Sequence, residues 1–177
     1  MNKIHIFNEL LEKISYILKE NNIPFYLDCG TLLGCVRDNK LIEYDSDVDI
    51  TIHLLFWNKL KNIDFSKYDL IISRIIQEYP YKPVGNMISI KTKYSNYYCD
   101  IYANPAFPKL IDGKLYDKIY PIPFNSELYL ELLYGVNWRI PISNKHADEI
   151  YRRNNGLIYS QYIKYWDYNY PIFKCLF

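Results

Sequence analysis

Two short stretches of this 177-residue chain carry residue types that can do chemistry together. Gly30-Thr31-Leu32-Leu33-Gly34 follows an apolar run, and thirteen residues after its second glycine comes Asp47-Val48-Asp49. A glycine-bearing turn from strand into helix lets phosphate oxygens approach backbone N–H groups at a helix start. Residues two apart on a strand project to one face, so Asp47 and Asp49 point together while Val48 and Ile50 face the core. Paired carboxylates repel, and each raises the other's pKa unless a cation lies between them. Mg²⁺, with Mn²⁺ as its substitute, is suited to that position as a hard cation that shares its ligands with substrate phosphates. Either stretch alone also fits an ordinary solvated turn; together they point to an active site.

A third acid, Asp100, lies within the strand candidate Tyr97 to Ala103, between Cys99 and Ile101. Burying it unpaired is costly, and an adjacent strand would set it beside the first two acids. The alternative is an edge strand with Asp100 facing solvent. Three carboxylates suffice for one metal ion, or for two with a bridging ligand, as in-line phosphoryl transfer uses. Arg37 and Lys40 lie between the glycine turn and the acids, where they can neutralise phosphate charge, Arg37 in bidentate fashion. The plainer alternative for both is a solvated basic loop.

The elements that must position these residues follow from periodicity. Ile4, Phe7, Leu11, Ile14 and Leu18 recur at intervals of three and four, which predicts a one-sided helix from Lys3 to Asn21, stopped by Asn22-Ile23-Pro24. Phe25 to Asp28 reads as a short buried strand, and Thr31 as the cap of a helical segment from Leu32 to Val36. Arg37 to Ser46 reads as a polar loop. Val48 to Leu54 alternates around β-branched residues and predicts a strand, with a short helix over Phe56 to Asn62. Strands are expected at Leu70 to Ile76 and Met87 to Lys93, separated by Pro80, Pro83 and Gly85. From Pro105 to Phe124 the chain reads as loop, with Asp112-Gly113 a hairpin turn between short strands. Helices are expected over Ser126 to Tyr134, capped by Gly135, and over Lys145 to Asn154, before an aromatic tail from Leu157 to Phe177. His146, Lys145, Arg152 and Arg153 fall on or near that last helix and read as a solvated surface.

Composition bounds the function. The chain is long enough to bury a core without staples, and its 50% apolar and 23% charged residues place it among folded proteins. A single domain over 1–177 is expected, its core over about 1–141, with the last helix and tail from 142. A net charge of +1 gives no electrostatic case for duplex nucleic acid as a partner. Cys29, Cys35, Cys99 and Cys175 form no C-x-x-C pair, so they read as reduced thiols rather than zinc ligands. Glu9 and Glu12 interrupt the first apolar segment before it could serve as a signal peptide. The longest apolar run, Leu54 to Trp57, falls far short of the roughly 20 residues that span a bilayer. A cytoplasmic protein is expected. The twenty tyrosines, with many Ile, Asn and Lys, are all residues with A/T-rich codons, so genome composition is the preferred reading of the bias over a functional one.

The order of these motifs resembles the polymerase-beta-like nucleotidyltransferase superfamily. More narrowly, Gly30 to Ile50, GTLLGCVRDNKLIEYDSDVDI, is similar to the LicD and fukutin family of phosphotransferases, whose motif has a G-T-L-L-G turn, an arginine and an I-P-W-D-D-D-I-D-I segment. Asp100-Ile101-Tyr102 resembles that family's D-I-F strand, and Tyr134 to Pro141 its Y-G-x-x-W/M-x-x-P element. The departures are Cys29 in place of a small residue, Asp38-Asn39-Lys40 for H-K-G, Glu43-Tyr44 for P-W, and Ser46 for the middle acid.

The resemblance implies an α/β (α+β) nucleotidyltransferase fold, with a small mixed sheet flanked by helices. It also implies transfer of phosphocholine or an alditol phosphate from a CDP-linked donor to a glycan hydroxyl. On this reading Asp47 and Asp49 hold Mg²⁺ against the donor diphosphate, and Gly30 and Thr31 bind a phosphate oxygen. Asp100 completes the metal site or takes the acceptor's proton, and Arg37 offsets charge building on phosphorus. Two alternatives stay open. One is a conventional nucleotidyltransferase moving NMP from an NTP to a small molecule or protein; the other is a non-catalytic module that binds a nucleotide or glycan.

Overall fold

The computed structural model describes residues 2–77 and 86–142. The Pro80, Pro83 and Gly85 turn, Cys175, the helix expected from Lys145 to Asn154 with its basic group and His146, and the aromatic tail lie outside the described residues.

Helix α1 (Lys3–Glu20) forms where the three-and-four spacing predicts it, its start capped by the Asn2 side chain accepting from the Ile4 N–H. Its buried stripe of Phe7, Leu10, Leu11, Ile14, Ile17 and Leu18 packs on the central strands. Asn22, at φ 47°, turns the chain out of the helix toward Pro24. A five-stranded sheet follows from β1 (Phe25–Leu27), β2 (Asp47–His53), β3 (Leu70–Ile76), β4 (Asn86–Thr92) and β5 (Tyr98–Asn104). Its order is β1-β2-β5-β4-β3, and it is mixed, because β2 and β5 run parallel while the other pairs are antiparallel.

The sheet's two faces differ in chemistry. Val48, Ile50 and Ile52 of β2 join Cys99, Ile101 and Ala103 of β5 and Ile88 and Ile90 of β4 in the apolar core beneath α1. The other face carries Asp49, Thr51 and His53 of β2, Asp100 and Asn104 of β5, and Ser89 of β4, all buried. Helix α2 (Cys29–Asp38) lies against β2. Beyond it come the short α3 (Trp57–Lys61), flanked by 3-10 turns, and α4 (Ser126–Tyr134), whose C-cap is Gly135 at φ 86°. The mixed α/β architecture implied by the motif order is therefore the one observed.

Three local expectations are corrected. Helix α2 begins at Cys29, so Gly30 and Thr31 lie inside its first turn and Asp28, not Thr31, is the N-cap. The segment from Arg37 is not all loop, because α2 runs on through Asp38 and ends at Asn39 in the left-handed conformation. The region after Pro105 contains an antiparallel hairpin, β6 (Leu110–Leu115) and β7 (Lys118–Pro123), and its turn is Tyr116-Asp117 rather than Asp112-Gly113. Gly113 instead sits mid-strand opposite Tyr120, where a Cβ would lie 2.7 to 3.0 Å from three carbons of Ile122. Glycine is there for close packing.

That packing predicts that Gly113→Val lowers stability by ~1–3 kcal/mol through overpacking. Urea unfolding would register it as a lower midpoint, and an unchanged midpoint would mean that Ile122 has room to move.

Candidate active site

The site is built around the junction of β1 and α2. Asp28 is fully buried and accepts hydrogen bonds from the Cys29 N–H at 2.7 Å, the Tyr129 hydroxyl at 2.7 Å and the Thr51 hydroxyl at 2.5 Å. One carboxylate thus joins the start of α2 to β2 and α4. In the sequence Asp28 reads as a strand end; its role as cap and tie needs partners 23 and 101 residues away. Cys29 follows at φ 46°, the left-handed region that favours glycine. This accounts physically for the small residue the family motif has there.

Both motif glycines admit the chain's own loop. A Cβ at Gly30 would overlap the Asp45 carboxylate, and one at Gly34 would overlap the Lys40 carbonyl. The Asp45 carboxylate therefore occupies the place at the start of α2 where a phosphate was expected, with Asp45 Oδ1 also accepting from the Ser46 N–H at 2.9 Å. Thr31 is buried, and its Oγ1 accepts the Asp49 N–H at 2.8 Å, so it fixes the acid strand directly. Lys3 Nζ donates to the Asp45 carbonyl at 2.8 Å, holding the loop from the other side.

Three of the predicted acids come together. In the parallel pairing of β2 and β5, Asp49 lies opposite Asp100, and Asp47 is opposite Tyr98 on the same face. Asp47 is raised from 3.8 to about 7, first by burial, then by the charges of Asp45 and Asp100. Burial, with the nearby Cys29, Asp49, Asp45 and Asp28, also pushes the Tyr134 phenol well up, which puts α4's Tyr134 beside the same group. Asp45 and Tyr134 are thus site neighbours in addition to the residues that motif spacing singles out. The available signals were the first acid of the D-S-D-V-D run and the first residue of the Y-G element.

The two expected cations are elsewhere. Arg37 donates from Nε at 2.9 Å and Nη2 at 2.7 Å to Asp38 Oδ2, and its side chain is 8% exposed. Burial alone would lower its guanidinium pKa, but Asp38 and the Tyr44 hydroxyl carry it above the ordinary value. Arg37 therefore secures the loop. Lys40 is exposed and faces Glu43 at 3.9 Å. Among the described residues, a cation that does reach the acids is Arg74 of β3, whose Nη2 is 3.6 Å from Asp100 Oδ2.

Oxygen-only donors of this kind suit a hard divalent cation. Among the described residues, no group of three His, Cys, Asp or Glu side chains is already arranged to hold a metal ion. Mg²⁺ commonly takes only one or two carboxylates and completes its shell with water and substrate phosphates. The mutual repulsion that raises Asp47 is the property such a cation relieves, so the residues fit one as an incomplete set.

A family model described as LicD/FKTN/FKRP, nucleotidyltransferase domain, matches residues 22–109, which include β1, α2, β2 and β5. Uncharacterized protein RP689 of Rickettsia prowazekii (strain Madrid E) is 41% identical over 44 residues, 25% of this chain and 16% of that protein. Uncharacterized protein RT0683 of Rickettsia typhi (strain ATCC VR-144 / Wilmington) is 41% identical over 44 residues, again 25% of this chain and 14% of that protein. The match thus spans about a seventh of the length of these relatives. The solution structure of antibiotic-resistance factor ANT(2'')-Ia has a TM-score of 0.52 at 16% identity, covering 93% of this chain and 90% of that one. The lincomycin-bound lincosamide antibiotic adenylyltransferase LnuA also has a TM-score of 0.52, at 13% identity, covering 86% and 98%. These likenesses identify the nucleotidyltransferase fold.

Two outcomes follow. Asp28→Ala removes a cap and strands two buried hydroxyls, so it should destabilise by on the order of 3–5 kcal/mol in urea unfolding. A loss below ~1 kcal/mol would mean that water replaces the carboxylate. For Asp47, the folded pKa of about 7 lies above the ordinary 3.8, so the folded state holds this proton more tightly than the unfolded chain. Ionisation therefore opposes folding, increasingly as pH rises from about 4 and fully above about 7. In EDTA, Asp47→Asn should raise Tm at pH 8 by about 3–6 °C, for a relief of ~1–2 kcal/mol, and the gain should vanish near pH 4. A pH-independent difference would contradict the charge cluster.

Proposed function

Because residues 22–109 belong to the LicD/FKTN/FKRP nucleotidyltransferase-domain family, we propose that this protein is a metal-dependent transferase moving a phosphorylated group from a CDP-linked donor to a glycan hydroxyl. Family and fold together support a nucleotidyl- or phosphotransferase-type activity. The observation that carries the reading is the pairing of Asp49 with Asp100 across parallel strands, with Asp47 on the same face. Mutually repelling carboxylates lower stability, and a charged donor with its cation is what gives them a use.

In this mechanism Asp47 and Asp49 would hold Mg²⁺ or Mn²⁺, with Asp100 completing the set or taking the acceptor's proton. The cation, when bound, supplies charge neutralisation at the donor's phosphates. Thr31 keeps Asp49 in place through the backbone, and Asp28 keeps α2 and β2 in register behind it. The acceptor hydroxyl oxygen bonds to the donor phosphorus that carries choline or the alditol as its ester, so that this phosphorus moves to the acceptor as phosphocholine or the alditol phosphate. The bond from that phosphorus to the CMP oxygen breaks, CMP leaves, and the hydroxyl proton passes to a carboxylate. Cys29, Cys35 and Cys99 are buried and outside any disulfide, in keeping with the reducing cytoplasmic setting that belongs to the same proposal. Among the described residues, no helix is long and apolar enough to cross a membrane.

A second reading, transfer of NMP from an NTP, uses the same acids but attacks the α-phosphorus and releases pyrophosphate. Ser46 favours it, because it moves the motif toward the S-D-x-D of general nucleotidyltransferases. Incubation with CDP-choline, CDP-ribitol, CTP and ATP, with Mg²⁺ and a glycan acceptor, separates the two. We expect CMP release from a CDP-linked donor, and a loss on the order of 100-fold or more in Asp47→Asn and Asp49→Asn. Pyrophosphate release from CTP or ATP would select the second reading instead.

A further inference from the structure

Arg74 is not part of any sequence motif described above, and a β-bulge puts it at the site. Strand β3 pairs with β4 through Leu70↔Thr92, Ile71↔Lys91 and Ile72↔Ile90, then skips a residue to Arg74↔Ser89, Ile75↔Ile88 and Ile76↔Met87. In uninterrupted register Ser73 would lie opposite Ser89, and Arg74 would project from the opposite face, that of Ile88 and Ile90. The extra residue, Ser73, re-aims Arg74 onto the polar face. Its hydroxyl donates to the Ser89 carbonyl at 3.1 Å, which holds the bulge closed.

The result is one polar row across four strands: Asp49 of β2, Asp100 of β5, Ser89 of β4 and Arg74 of β3, each opposite the next. Arg74 reaches Ser89 Oγ from Nε at 3.4 Å and from Nη2 at 3.3 Å, and Asp100 Oδ2 at 3.6 Å. These contacts are long for hydrogen bonds and ion pairs of a guanidinium. The Arg74 side chain is 55% exposed, whereas that of Asp100 is 8% exposed. Arg74 therefore stands at the solvent edge of the acids, weakly held, with a planar donor fork that matches phosphate better than it matches its present partners. Arg37 and Lys40 face Asp38 and Glu43 instead.

We infer that Arg74 binds the phosphates of the nucleotide donor, taking the role that sequence position suggested for Arg37. The inference rests on the proposed use of a nucleotide donor. On donor arrival the guanidinium exchanges its long contacts with Ser89 and Asp100 for charge-assisted bonds to phosphate oxygens. Asp100 is left to the metal or the acceptor hydroxyl.

The test measures binding of CDP, CTP and cytidine, with Mg²⁺, by calorimetry for wild type, Arg74→Met, Arg74→Lys and Arg37→Met. Arg74→Met should weaken CDP and CTP by about 10- to 100-fold, with Arg74→Lys intermediate, because a point charge replaces a bidentate fork. Cytidine, which has no phosphate, should bind Arg74→Met as it binds wild type. Equal nucleotide affinity in wild type and Arg74→Met overturns the assignment alone. An equal proportional loss for cytidine and CDP also overturns it, since it marks a general distortion of the site. If wild type binds neither CDP nor CTP, the donor reading falls and the Arg74 inference falls with it. Arg37→Met that retains a stable fold yet loses nucleotide affinity as Arg74→Met was expected to do, while Arg74→Met does not, returns the role to Arg37.

Discussion

A buried, hydrogen-bonded carboxylate, Asp28, fixes where everything else in the site can be. It caps α2 through the Cys29 N–H, reaches β2 through Thr51 and reaches α4 through Tyr129. A charge so deeply placed is tolerable only when its hydrogen bonds are made, so these elements must meet in one arrangement. Buried polar groups that demand exact partners penalise slipped alternatives more than an apolar contact would. Thr51 lies two residues beyond Asp49 on the same face of β2, and Thr31 lies on the first turn of α2. The tie at Asp28 therefore also sets the Thr31 to Asp49 bond that orients the acids.

Against that anchored frame, the loop from Asn39 to Ser46 is seated rather than free. Gly30 and Gly34 leave room for the Asp45 carboxylate and the Lys40 carbonyl, the Tyr116 hydroxyl accepts the Leu41 N–H at 3.1 Å, and Leu41 and Ile42 are buried. The family-divergent residues of this segment, Asp38 and Tyr44, are the partners that hold Arg37. The arginine of the motif is thus part of the loop's own support in this chain. Asp45 at the start of α2 gains from the helix's exposed N–H groups and positive end while adding to the charge that raises Asp47. The acids are a source of instability that the surrounding hydrogen bonds offset.

The sheet's mixed pairing is what brings chemistry from distant parts of the chain into contact. Only because β5 enters between β2 and β4, parallel to β2, does Asp100 come opposite Asp49. The bulge in β3 extends the same row to Arg74. The opposite face keeps an uninterrupted apolar surface under α1, so one sheet serves core and site with its two periodic faces.

Local pattern was enough to determine α1, β2, β5 and α4, because each carries a strong periodicity over its own length. It was also enough to select Asp47, Asp49 and Asp100 as the acids of interest, since alternation alone sets Asp47 and Asp49 on one face. The hairpin of β6 and β7 was legible only in part: its turn, Tyr116-Asp117, lacks the usual glycine signal, and the Gly113 that suggested a turn serves packing against Ile122. Sequence position put Arg37 and Lys40 near the acids because they lie between the two motifs. Direction is not a local property, however, and α2 continues far enough to turn Arg37 onto Asp38. The burial of Asp28, the seat of Asp45 at Gly30 and the arrival of Arg74 depend on pairings between residues far apart in the chain, and no spacing within a motif encodes them. The sequence by itself determined that Asp47 and Asp49 share one face of a strand, because alternation is local; tertiary structure decided that Asp100 and Arg74 join that row, because strand order and a one-residue bulge set those pairings.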